Sequence, residues 1–175
     1  VSYQALDDIM NMPVEHPQGK KFVARPEYRG NIDFKNVEFS YPNADKTALN
    51  NVSFKIDEGE HVAIIGKIGS GKSTIHKLLL SLYVPDGGAI LIDNIDTKQL
   101  DPTELRKNIA YVSQDVLLFN GTVKENIVYR LPHIDDERII EAAQVSGVMD
   151  FVNKHPKGFD MPVGERGAFL SGGQR

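Results

Sequence analysis

One run, Gly66-Lys67-Ile68-Gly69-Ser70-Gly71-Lys72-Ser73-Thr74, constrains this chain more than any other stretch. It fits the pattern G-x-x-x-x-G-K-[ST], in which a glycine-rich loop leaves a strand and opens a helix. The glycines let the backbone curl so that successive N–H groups point at one anion. The helix that follows aims its positive end at the same place. Lys72 offers a point charge to the β- and γ-phosphates of a nucleotide, and Ser73 offers a hydroxyl to Mg²⁺. The apolar run His61–Ile65 precedes the loop and reads as a buried strand. Ile75, Leu78, Leu79 and Leu82 follow it at helical spacing. The chain is therefore read as α/β, organised around a phosphate-binding P-loop.

Composition narrows the setting. The 175 residues amount to about one domain, and an apolar content of 41% suffices for a core. Basic residues number 20 against 24 acidic, a net charge of −4, which argues against a general basic surface for nucleic acid. Cysteine is absent, so disulfides and thiolate metal sites are excluded. The histidines, His16, His61, His76, His133 and His155, lack metal-ligand spacing. No apolar run approaches the ~20 residues that cross a bilayer. The start lacks the pattern of a secretory signal, and Val1 in place of Met fits a cut or processed beginning. The piece reads as soluble and is compatible with being one end of a membrane protein.

Local patterns set further expectations. Val1, Ala5, Leu6, Ile9 and Met10 are spaced as in a short amphipathic helix that Pro13 should stop. Two readings fit it equally, a frayed terminal helix or the tail of a preceding domain. Pro13 to Gly30 reads as a linker. Ile32 and Phe34 alternate, then Val37, Phe39 and Tyr41 alternate in the opposite phase, so a bulge is expected near Lys35-Asn36. Val52, Phe54 and Ile56 form a second alternating run, expected to pair antiparallel with the first across Pro42-Asn43 to Lys46. Ala89–Ile92 and Ile109–Val112 read as strands, the latter leading into Ser113-Gln114-Asp115. Asp101-Pro102-Thr103-Glu104 and Thr122-Val123-Lys124-Glu125 both have capping-box spacing. Helices are expected over about Asp135–Ser146 and Val148–Lys154, and Pro156 to Arg175 reads as loop.

Leu170-Ser171-Gly172-Gly173-Gln174-Arg175 ends the sequence. Together with the P-loop it resembles the signature of ATP-binding cassette (ABC) proteins, a resemblance that runs from about Gly30 to Arg175. The family implies a role for each matching residue. Tyr41 stands where an aromatic ring stacks on adenine. Gly66, Lys67, Ile68, Gly69, Ser70, Gly71, Lys72, Ser73 and Thr74 are implied to hold the phosphates of ATP. Ser73 and Gln114 are implied to hold Mg²⁺. Lys72 and Gln114 serve catalysis, and Gln114 also senses the transport domain. Ser171, Gly172, Gly173 and Gln174 are implied to bind the γ-phosphate of a partner's ATP in trans, from the start of a helix. Val163-Gly164-Glu165-Arg166-Gly167 resembles the loop that precedes the signature in exporters. Two cassettes form a head-to-tail homodimer around two ATP molecules in such proteins. The implied fold is a P-loop NTPase core with an antiparallel β subdomain from about Gly30–Ile56 and a helical subdomain over about 122–175. On this resemblance the C-terminal part of the core would be missing, so an exposed sheet edge and a marginal or self-associating chain are expected.

A narrower resemblance lies in Ala5-Leu6-Asp7-Asp8-Ile9-Met10-Asn11-Met12-Pro13 and Phe151-Val152-Asn153-Lys154-His155-Pro156-Lys157-Gly158-Phe159-Asp160. Both are similar to the ATPase/permease of bacterial type I secretion. That family implies that 1–29 is a connector from a preceding transmembrane domain and 30–175 a partial nucleotide-binding domain. It implies export of a protein toxin or adhesin from the cytoplasmic face of the bacterial inner membrane. Its partners are a membrane-fusion protein and an outer-membrane channel, with no nucleic acid. Another ABC exporter (of lipid, drug or peptide), a non-transport ABC ATPase and a non-catalytic nucleotide-binding module stay open as alternatives. Ile68 departs from the small polar residue usual at its place, yet it need only give its N–H. The family's Walker B aspartate, catalytic glutamate and switch histidine have no counterparts among these residues, so ATP binding without hydrolysis is expected. Ala89-Ile90-Leu91-Ile92-Asp93 imitates the Walker B strand, but it precedes Gln114 and Asn94 follows it. Asp93 is therefore expected to be structural.

Overall fold

The computed structural model describes residues 2–12, 14–17, 19–25, 27–129, 131 and 133–175. The chain parts into two compact units, Val1–Ala110 and Tyr111–Arg175. No helix among the described residues is long and apolar enough to cross a membrane.

The first unit is built on a four-stranded sheet of order β2-β1-β3-β4, with every pairing antiparallel. The strands are β1 (Ile32–Ser40), β2 (Thr47–Ile56), β3 (Gly87–Ile92) and β4 (Ile95–Asp96). Phe34, Val37 and Phe39 of β1 are buried, an uneven spacing that the backbone must correct. The correction is the expected bulge: register slips between Phe34 and Val37 on the β2 side and between Lys35 and Glu38 on the β3 side. Asn36 takes a left-handed φ of 49° there. Its N–H donates to Ser53 Oγ at 2.8 Å and its side-chain amide to Asn51 Oδ1 at 2.7 Å. Gly88, opposite, has φ 72°, and a Cβ on it would lie 2.3 Å from the Asn36 and Lys35 carbonyl oxygens. The bulge and this glycine are thus one feature seen from two strands.

Helix α2 (Lys72–Leu79) buries Ile75 and Leu78 against the sheet, in a core with Phe34, Val37, Phe39, Leu49 and Ile90. The Phe34 and Phe54 rings stack at 4.5 Å, a cross-strand pair that fixes the β1–β2 register. Leu82, expected on the same helix, lies beyond its end and is half exposed. The turn from β3 to β4 is Asp93-Asn94, with φ values of 48° and 68°, the conformation that matches strand twist in a two-residue hairpin. Helix α3 (Pro102–Lys107) is capped by Asp101, which accepts from the Thr103 N–H at 2.8 Å. Its Glu104 is engaged by Lys107 at 2.6 Å. Ahead of the sheet, α1 (Ser2–Met10) forms with its described side chains exposed. Val1 and the expected stop at Pro13 lie outside the described residues. The rest of the linker has no helix or strand among its described residues, apart from a bridge between Val23 and Leu100.

The second unit gathers α4 (Val123–Ile127), α5 (Asp136–Val145) and α6 (Met149–Val152). Its core is Val123, Val152, Val163 and Leu170. Thr122 and Glu125 make the reciprocal capping box at the head of α4.

Two expectations fail. His61–Ile65 and Ile109–Val112 are not strands. Ile65 is 93% exposed and Val112 87%. An inner strand needs ladder partners on its flanks, and neither segment joins a ladder among the described residues. Most of their apolar side chains therefore stay in solvent, though Ile109 packs partly buried beside the Ile92, Leu100 and Leu105 core, and the sheet is antiparallel throughout. Where an exposed edge was expected, His61–Ile65 is a segment without a ladder partner among the described residues.

Candidate nucleotide-binding site

The P-loop joins this unpaired segment to α2. It bends back at Ser70, whose N–H donates to the Lys67 carbonyl at 3.2 Å. Gly69 and Gly71 have φ values of 79° and 88°. Gly71 is the N-cap of α2. A Cβ on it would come within 2.6 Å of the Ala48 carbonyl oxygen and of Leu49 on β2. Only glycine lets the loop end turn this closely against the sheet. The N–H groups of Thr74 and Ile75 go to the Gly71 carbonyl. Among the described residues, those of Lys67, Ile68, Gly69, Gly71, Lys72 and Ser73 donate to no protein acceptor. Six amides at a helix start thus remain available to an anion.

Lys72 turns into the loop. Its Nζ donates to the carbonyls of Gly66 at 2.8 Å and Lys67 at 2.7 Å, with Ser70 Oγ at 3.4 Å. The ammonium thus stands among those free amides, satisfied by neutral acceptors for which an anionic phosphate would be the stronger exchange. Ser73 is exposed, while Thr74 is buried and its Oγ1 meets the Tyr41 hydroxyl at 3.1 Å. Ile68 is fully exposed, so its bulk obstructs nothing in the loop.

Within the second unit, Gln114 and Gly172 line one open cleft of about 370 Å³ with Asp115, Leu117, Arg166 and Arg175. Gln114 is exposed, in a bend where Ser113 Oγ donates to the Asp115 carbonyl at 2.6 Å. Ser171 opens a helical turn: the Gln174 and Arg175 N–H groups donate to its carbonyl at 3.0 and 3.1 Å. The Gln174 side chain accepts from the Ser171 N–H at 2.9 Å. A Cβ on Gly172 or Gly173 would meet nothing within 4 Å. No internal crowding demands glycine at either place.

Asp93 has a role that the sequence left unspecified. Its carboxylate accepts from the Arg29 N–H at 2.8 Å, from the Asn31 N–H at 3.0 Å and from Asn31 Nδ2 at 3.1 Å. Arg25 closes the ring at 3.2 Å. Burial pushes the carboxyl up, but the Arg29 and Asn31 donors and the Arg25 charge outweigh it and hold the group below its ordinary value. Asp93 is thus a buried anchor between the linker and the β3–β4 turn, and its oxygens are already spoken for. The one available signal was the charge of Arg25, since Arg29 donates through its backbone N–H, which any residue but proline carries. Lys77, one helical turn after Thr74, was also missed; its Nζ stands over the Tyr41 ring.

Against known proteins, residues 49–175 match the model of the ABC transporter family. The whole chain is 45% identical to the leukotoxin translocation ATP-binding protein LktB of Mannheimia haemolytica and to that of Bibersteinia trehalosi. It spans 24% of the length of each. Among solved structures, a bacterial Atm1-family ABC exporter with ATP bound superposes with a TM-score of 0.87 at 35% identity, over 98% of this chain and 30% of that one.

Proposed function

This chain belongs to the ABC transporter family, and from that premise we propose that it is the ATP-binding part of an exporter. The observation that carries the reading is Lys72 drawn among the unbonded amides at the N-terminus of α2. In the bound state those amides and Lys72 take the phosphates, and Tyr41 takes the adenine. Ser73, in the first unit, and Gln114, in the second, are the oxygen donors that this reading assigns to Mg²⁺, a hard cation that would supply charge neutralisation to the phosphates. Gly172 and Gly173, open and unhindered, suit close approach by a phosphate of a second copy, with Ser171 and Gln174 beside them. The partner in this reading is another nucleotide-binding domain in a head-to-tail dimer, and 1–29 leads in from a transmembrane domain.

The 45% identity to leukotoxin translocation proteins favours export of a protein toxin or adhesin. It would leave by type I secretion, from the cytoplasmic face of the bacterial inner membrane, through a membrane-fusion protein and an outer-membrane channel. The 175 residues themselves bind ATP without turning it over, because the water-polarising glutamate and the switch histidine of the family are not among them. Titration of the chain with ATP tests the core of this reading. Lys72→Ala removes a charge-assisted bond of about 1.5–3 kcal/mol and should weaken binding at least about tenfold. Unchanged affinity refutes the site, and steady hydrolysis by the wild-type chain refutes the inactive state.

A further inference from the structure

Tyr41 is held from several directions, by side chains of the P-loop helix, of the segment after it and of β1. Its hydroxyl meets Thr74 Oγ1 at 3.1 Å. Lys77 Nζ stands over the ring, 5.1 Å from the centroid. The rings of Tyr83 and Phe39 meet it nearly at right angles, with centroids at 5.2 and 5.0 Å. Thr74 and Lys77 sit three residues apart on α2 and so share a face. The helix whose first turn faces the phosphates therefore also fixes the tyrosine.

We propose that Lys77 is a positioning residue for nucleotide-base recognition, acting through Tyr41. A cation over one face of an aromatic ring is attracted by its quadrupole. That attraction fixes the tilt of the ring and leaves stacking to the opposite face. It also draws electron density toward the ammonium, which makes the opposite face a better partner for an electron-rich purine. Thr74 sets the ring's distance from the phosphate loop, Lys77 its angle, and Tyr83 its lateral place. Tyr41 alone would be a mobile side chain at a strand end; tied to α2, it moves with the loop that grips the phosphates. The inference rests on the reading of Tyr41 as the base-stacking residue.

The test separates the two. Binding of ATP and of inorganic tripolyphosphate is measured on the intact protein for wild type, Tyr41→Ala, Lys77→Met, Lys77→Arg and the double variant Tyr41→Ala with Lys77→Met. Lys77→Met keeps the apolar stem and should weaken ATP binding about two- to fivefold while leaving tripolyphosphate unchanged. Lys77→Arg retains the cation and should restore wild-type affinity. In the Tyr41→Ala background, Lys77→Met should have no further effect. If Tyr41→Ala lowers the preference for ATP but Lys77→Met does not, or the two losses add, Lys77 does not act through Tyr41. Equal weakening of both ligands by Lys77→Met makes it a phosphate contact and overturns the proposal. If Tyr41→Ala leaves the preference for ATP over tripolyphosphate untouched, the base-stacking reading fails and this inference falls with it.

Discussion

At the scale of single residues, Asp93 shows how a carboxylate can resemble a metal ligand in sequence and be an anchor in space. It ends an apolar strand, as the magnesium-ordering aspartate of the family does, yet its oxygens are filled by Arg29, Asn31 and Arg25. Removing it strands a guanidinium, two backbone N–H groups and the Asn31 side-chain amide in a nearly closed space. Asp93→Ala should cost about 3 kcal/mol or more in chemical denaturation. Magnesium-dependent ATP binding by the folded fraction should stay at wild-type strength; a collapse of that binding would return Asp93 to the metal site. The sign of its pH dependence follows from its lowered pKa. The stabilisation is complete above the ordinary carboxylate value, about 4, and is lost as pH falls through the lower folded value. Melting curves below about pH 4 should therefore fall more steeply for wild type than for Asp93→Asn. Parallel curves would mean that the carboxylate contributes no linkage.

At the scale of elements, what was legible in the sequence was what neighbours along the chain decide. Thr122 and Glu125 cap α4 as their spacing foretells, and Asp101 with Pro102 starts α3, because those bonds close within four residues. The slipped phase around Asn36 announced the β1 bulge. His61–Ile65 and Ile109–Val112 read as strands from composition alone, yet a strand exists only if another segment offers it a ladder. Asp93 was only half legible, since its donors lie 62 to 68 residues away. The site divides in the same way. The Gly66–Thr74 motif could be named from its own residues, whereas the bonds from Tyr41 and Lys77 depend on how β1 lies against α2. Gly88 gives the element scale its prediction. Its positive φ and the two carbonyls 2.3 Å from a built Cβ mean that Gly88→Ala must break the bulge or the β1–β3 ladder. The loss should be at least about 1 kcal/mol, read from urea midpoints at unchanged slope; a variant as stable as wild type would show that the bulge is not locked from β3.

At the scale of the whole molecule, each unit has its own apolar core, and the division falls where Tyr111, Val112, Leu117 and Phe119 are exposed. Within 31–175, native-state chymotrypsin digestion should cut first between Tyr111 and Phe119, leaving two resistant pieces that mass spectrometry can size. A first cut inside β1, β2 or α5 would contradict this division. Val62, Ile65 and Ile68 are exposed in the same molecule, and exposed apolar chain of this kind would favour association through unpaired backbone. The ring of bonds around Asp93 has one further consequence, a mechanical one. It rivets the chain leading to β1 onto the hairpin that leaves β3. Tension applied ahead of Arg25 would be borne by that rivet and spread through the sheet as a rigid plate, reaching the phosphate loop only as the displacement of a whole body.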